Sequence, residues 1–94
     1  MNKELSNRFY ISTDKSLLDI TIIHNFLKRS YWAENIPISI LIKSIDNSLC
    51  FGIYEGKEQI GFARVISDYA TFAYLADVFV LEAYRGQGLA NFLL

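Results

Sequence analysis

The chain has 94 residues, 52% of them hydrophobic and 20% charged, with a formal net charge of −1. That composition supports one small packed domain rather than a disordered tail, although a domain of this size buries only roughly 60–65% of its unfolded surface. The scattered Lys and Arg make no basic stripe for nucleic acid and no polybasic segment for a membrane surface, and the apolar runs are too short to span a bilayer.

Residues 8–12, Arg-Phe-Tyr-Ile-Ser, read as a first strand ended by Thr13-Asp14. Ser16 lies three residues before Asp19, the spacing of a capping box, so a helix is expected from Leu17 to about Arg29. Ile20, Ile23 and Leu27 form its apolar face, and Lys28 and Arg29 fall in its last turn, where they complement the helix dipole. A loop with two large aromatics, Tyr31 and Trp32, follows. Pro37 suits the first position of a second helix, with Ile38, Leu41, Ile42 and Ile45 on one face and Asp46-Asn47-Ser48 as its stop.

Beyond residue 48 the period changes to two. Leu49, Phe51 and Ile53 alternate with Cys50, Gly52 and Tyr54, and Glu55-Gly56-Lys57-Glu58 suits a hairpin turn. Gln59 to Ser67 is the return strand, Asp68-Tyr69-Ala70 turns the chain again, and Thr71 to Leu81 makes a longer strand. The order is strand, two helices and an antiparallel meander, an α+β chain. A further helix is expected to begin near Gly88.

Between that last strand and helix lies Tyr84-Arg85-Gly86-Gln87-Gly88-Leu89-Ala90. Two glycines there permit left-handed backbone angles and close approach of a ligand to the main chain. Amides converging at a helix N-terminus attract phosphate oxygens, and Arg85 adds a permanent charge. These features describe a pyrophosphate cradle, and equally a tight strand-to-helix turn that binds nothing. The segment lacks the Gly-Lys-Ser/Thr ending of a P-loop NTPase. A dinucleotide-binding fold places such a loop after its first strand, whereas here it comes last.

Arg85-Gly86-Gln87-Gly88-Leu89-Ala90 resembles the GNAT superfamily pattern of Arg or Gln, two residues, Gly, one residue, Gly or Ala. The stretch Leu75 to Leu81 resembles that family's fourth strand, Glu82-Ala83-Tyr84 resembles the connector, and the order of elements is also the family's. The resemblance implies an acyl-CoA N-acyltransferase fold with acetyl-CoA as cosubstrate and no metal. The pantetheine arm then pairs with the backbone of Val78, Phe79 and Val80, and the pyrophosphate sits on Arg85, Gly86, Gln87, Gly88, Leu89, Ala90 and Asn91. The implied reaction is direct attack of a primary amine, on a small molecule or peptide, upon the acetyl thioester in a ternary complex. It needs a base, an oxyanion donor and an acid for the leaving thiolate.

Asp77 is the first choice for the base, because a mid-strand carboxylate is costly unless it faces a cleft or meets a partner such as Arg64. Asp68 and Glu82 are weaker candidates, and amides near Phe79 and Val80 suit the oxyanion. Tyr31, Trp32 and Tyr74 are candidates for an acceptor pocket, His24 for a surface position and Cys50 for a small core residue in a reducing cytoplasm. The resemblance further implies that the chain stops before the family's fifth strand and before the tyrosine that serves as general acid. The open edge of the Thr71–Leu81 strand then calls for either a homo-oligomer that covers it or a poorly soluble fragment. A GNAT-fold protein that binds CoA without turnover and a structural module that binds nothing are the competing readings.

Overall fold

The computed structural model describes residues 2–4, 8–30 and 33–86. Five strands form one antiparallel sheet in chain order: β1 (Asn2–Glu4), β2 (Phe9–Ser12), β3 (Leu49–Glu55), β4 (Glu58–Ser67) and β5 (Ala73–Val80). Helices α1 (Ile20–Leu27) and α2 (Ile38–Asp46) connect β2 to β3. Strand, helix, helix and meander are therefore the observed order, with β1 added ahead of them. β1 pairs with β2 from Asn2↔Ser12 to Glu4↔Tyr10; three residues carry too little period to announce a strand.

Both faces of the sheet are apolar. Ile23 and Leu27 of α1 and Leu41 and Ile45 of α2 pack with Cys50, Phe62 and Phe79 on one face. Phe9, Ile11, Ile53, Ile60, Ala63 and Val80 cluster on the other. A bulge explains why β4 is buried continuously over residues 59–63 and not at alternate positions. Ile53 faces Gly61 while Tyr54 faces Gln59, so Ile60 is an extra residue that turns to the side of Ala63.

The start of α1 differs from the capping-box expectation. Asp14 accepts from both the amide and the hydroxyl of Ser16, at 2.9 and 2.7 Å, and caps a single 3-10 turn, Lys15–Leu17. Leu18 is then extended, and Asp19 is the true N-cap, accepting from Ile22 N at 3.1 Å. The Asp19 amide donates to Gln59 Oε1 at 2.7 Å, and Gln59 Nε2 donates to Gly61 O at 3.1 Å. A buried glutamine on β4 thus sets where the helix begins. Lys28 is the C-cap, so Lys28 and Arg29 lie at and beyond the helix end.

Pro37 is the N-cap of α2 rather than its first residue, and its carbonyl accepts from Ile40 and Leu41. Leu41 and Ile45 are buried as expected, but Ile38 and Ile42 are exposed, as is Ile40. The turn after β4 is longer than three residues. Asp68 Oδ1 accepts from the amides of Ala70, Thr71 and Phe72, each at 2.9 Å, and β5 starts at Ala73, not Thr71.

Candidate functional site

β5 is paired along one edge only, among the described residues. Its register with β4 slips between Arg64↔Asp77 and Val65↔Leu75, so Ala76 is an extra residue and β5 bends there. Past the bulge the pairs run Ala63↔Val78, Phe62↔Phe79 and Gly61↔Val80. Leu81 N donates to Ile60 O at 2.8 Å. Hydrogen-bonded and non-hydrogen-bonded pairs alternate in an antiparallel ladder, so the backbones of Phe79 and Asp77 face β4. Those of Val78 and Val80 face the open edge. The Phe79 ring stacks on Phe26 at 4.0 Å between centroids and belongs to the helix-side core.

The chain leaves β5 through a 3-10 turn, Glu82–Tyr84. Tyr84 holds this turn to the sheet: its hydroxyl donates to Glu55 Oε1 at 3.2 Å, and its ring meets Phe9 edge-on at 6.1 Å. Arg8 forms an ion pair with Glu55 and lies over the Phe9 and Tyr84 rings. Arg85 folds back so that its Nε donates to the Val80 carbonyl at 3.0 Å. Gly86 has φ +83°, a left-handed angle that a side chain strains, and no atom of the described residues lies within 4 Å of where a Cβ would stand. Gln87, Gly88, Leu89, Ala90 and Asn91, and the helix expected near Gly88, lie outside the described residues.

Beside the bulge, between the α1–α2 connection and β4–β5, is an open cleft of about 690 Å³. Arg64, Ile66, Tyr74, Ala76 and Asp77 line the sheet side; Leu27, Ala33, Glu34, Ile36, Ile40 and Ser44 line the other. Asp77 is 6% exposed, and its Oδ2 accepts from Arg64 Nε at 2.7 Å. Arg64 Nη1 donates to Ser48 Oγ at 3.0 Å, and Ser48 donates in turn to Ser44 O at 2.6 Å. The carboxylate is therefore both partnered by Arg64 and present at a cleft wall, the two circumstances that permit it in mid-strand.

Of the aromatic candidates, Tyr74 lines this cleft; Tyr31 and Trp32 lie outside the described residues. Glu34 and Ser44 are polar contributors that periodicity alone did not single out, because they reach the cleft only through packing of the α1–α2 connection and α2 against β4. Asp68 is saturated by its own turn, whose amide bonds hold its carboxyl well below the usual carboxylate range. Glu82 is exposed on the connector. His24 is half-buried rather than superficial, and its Nε2 donates to Ile36 O at 2.9 Å. Cys50 is buried in the core, and desolvation pushes its thiol up. The described residues contain no group of three His, Cys, Asp or Glu placed to hold a metal, and no helix among them is long and apolar enough to cross a membrane.

A profile of the acetyltransferase (GNAT) family matches residues 17–94. A Xanthomonas campestris pv. campestris crystal structure, described as a candidate acetyltransferase of the GNAT family, is 53% identical and superposes with a TM-score of 0.88. The match covers 90% of this chain and 61% of that one. A Gibberella zeae protein named as a candidate acetyltransferase is 30% identical over 106 aligned positions, covering 92% of this chain and 60% of its own length. A Staphylococcus aureus structure of unknown function, described as a candidate acetyltransferase, shares the fold at 22% identity and a TM-score of 0.70. There the match covers 90% of this chain and 62% of the other. The chain thus spans about three fifths of the length of each relative.

Proposed function

Because the chain belongs to the GNAT acetyltransferase family, we propose that it is the acetyl-CoA-binding part of an N-acetyltransferase that acts on a primary amine by direct attack in a ternary complex. The observation that carries this reading is the continuity of two features. The open edge of β5, with the Val78 and Val80 backbones turned outward, runs directly into Arg85 and the left-handed Gly86.

These residues fit the cosubstrate. An extended pantetheine arm pairs with a strand edge through main-chain groups. The space at Gly86, open among the described residues, suits close approach of a diphosphate, with Arg85 contributing charge. Bound acetyl-CoA supplies the acetyl group as a thioester. On this reading Asp77 takes the ammonium proton of an acceptor in the cleft, and Val78 N–H, one residue away at the open edge, donates to an oxyanion. Val80 N–H is a second such donor, whereas the Phe79 amide faces β4. Buried Cys50, the single cysteine, suits a reducing cytoplasm.

The Arg64–Asp77 ion pair favours a second reading, CoA binding without turnover, since Asp77 Oδ2 is already engaged by the Arg64 guanidinium. Calorimetry with acetyl-CoA, followed by thiol release over a panel of amines, separates the two. Gly86→Val is expected to lower acetyl-CoA affinity at least about tenfold, through strain and lost approach. Unchanged affinity refutes the assignment of the loop.

A further inference from the structure

We infer that the cleft selects a small monocationic amine with an apolar body, and that Glu34 is the carboxylate that selects for the charge. The inference names a substrate class for the acceptor site proposed above and rests on that reading.

Charge comes first. Arg64 and Asp77 compensate each other at 2.7 Å, leaving Glu34 as the other charged group on the cleft wall. Glu34 makes no ion pair among the described residues, so the described lining carries one surplus negative charge. A cation is attracted and an anion repelled. One surplus charge matches one ammonium; a second ammonium would have to lie against apolar walls.

Glu34 is also held in place. Ile36 N donates to Ala33 O and Asn35 N to Lys28 O, each at 3.1 Å, while His24 clamps the Ile36 carbonyl. Asn35 takes φ +59°, the left-handed angle that asparagine tolerates better than most side chains, and this closes the turn. The carboxylate therefore stands on a short turn tied twice to α1 and its C-terminal cap.

The walls specify the rest of the ligand. Ile40, Ile66 and Tyr74 are 53%, 41% and 58% exposed, large apolar side chains left facing solvent at the cleft. A hydrocarbon or aromatic body would cover them. The volume is that of a small-molecule site.

The test is a nuclear magnetic resonance titration of the 94-residue chain with n-hexylamine, 1-hexanol and hexanoate, followed at the methyl groups of Ile36, Ile40 and Ile66. Hexylammonium is expected to bind roughly three- to fivefold more tightly than hexanol, as a single exposed ion pair allows, with hexanoate weakest. Glu34→Gln should reduce hexylammonium to the level of hexanol, and Glu34→Asp should retain the preference. Equal binding of hexylammonium and hexanoate, an unaltered preference in Glu34→Gln, or shifts confined to another surface each overturns the inference. Acetyl-CoA added to the same samples is followed at the Val78, Val80 and Gly86 amides. Its failure to shift them overturns the transferase reading, and the amine arms still decide this one.

Discussion

Replacing Arg64 with Met removes the guanidinium while keeping most of the aliphatic stem. Asp77 is then left with its carboxylate buried, 7% exposed at the side chain, without the ion-pair partner that now donates at 2.7 Å. Breaking a buried pair from one side costs about 3–5 kcal/mol. The Arg64 side chain is 16% exposed and borders an open cleft, so water screens part of this and about 2–3 kcal/mol is the reasoned value. For a domain of this size that corresponds to a fall in Tm of roughly 10–20 °C. Arg64→Met/Asp77→Leu removes both charges and should return to within about 1 kcal/mol of wild type. Urea unfolding of wild type, the two single variants and the double variant closes the cycle, with the m-value checked for constancy. An Arg64→Met variant within about 0.5 kcal/mol of wild type would refute the argument that this pair is desolvated.

The depressed Asp68 carboxyl makes a pH prediction. A carboxyl lower in the folded than the unfolded chain stabilises above the unfolded value, 3.8, and loses that contribution as pH falls further. The Tm advantage of wild type over Asp68→Ala should therefore be full at pH 7 and shrink below pH 3.8; a gap independent of pH contradicts it. Gly52→Ala sets a Cβ 2.6 Å from Cζ of the buried Tyr54 ring, and overpacking of this kind costs roughly 1–3 kcal/mol, readable by thermal melting. Tyr54→Phe should leave stability unchanged or raise it, because the buried hydroxyl has no hydrogen-bond partner among the described residues; a loss above about 1 kcal/mol disproves this. Tyr69, Phe72, Tyr74 and Leu75 are exposed on the β4–β5 hairpin beside the open edge of β5. Size-exclusion chromatography with light scattering should show an oligomer whose mass falls when Phe72→Lys and Leu75→Lys are combined; a monomeric wild type counts against that association.

Features whose causes are local were legible in the amino-acid order. The switch from a 3.6-residue to a two-residue period at Leu49 marks α2 giving way to β3, and Gly56 takes the left-handed angle its hairpin requires, φ +58°. Gly86 was legible for the same reason, since a left-handed bend restricts which residues can occupy it. Asp77 stood out as a polar residue amid an apolar run.

What remained needed three dimensions. α1 begins at Ile20, and not near Ser16, because Asp14 occupies the Ser16 amide and hydroxyl while Gln59, forty residues away, holds the Asp19 amide. The extra residues Ile60 and Ala76 shift which side chains meet, and no alternation within a single strand reveals how its neighbour is registered. Glu34, Ser44, Arg64 and Asp77 share a cleft although the chain places them on a turn, a helix and two strands. Periodicity records the angle between successive side chains along one element. Register, bulges and cleft walls arise from energies shared between elements, and only the packed sheet with its two helices sets them.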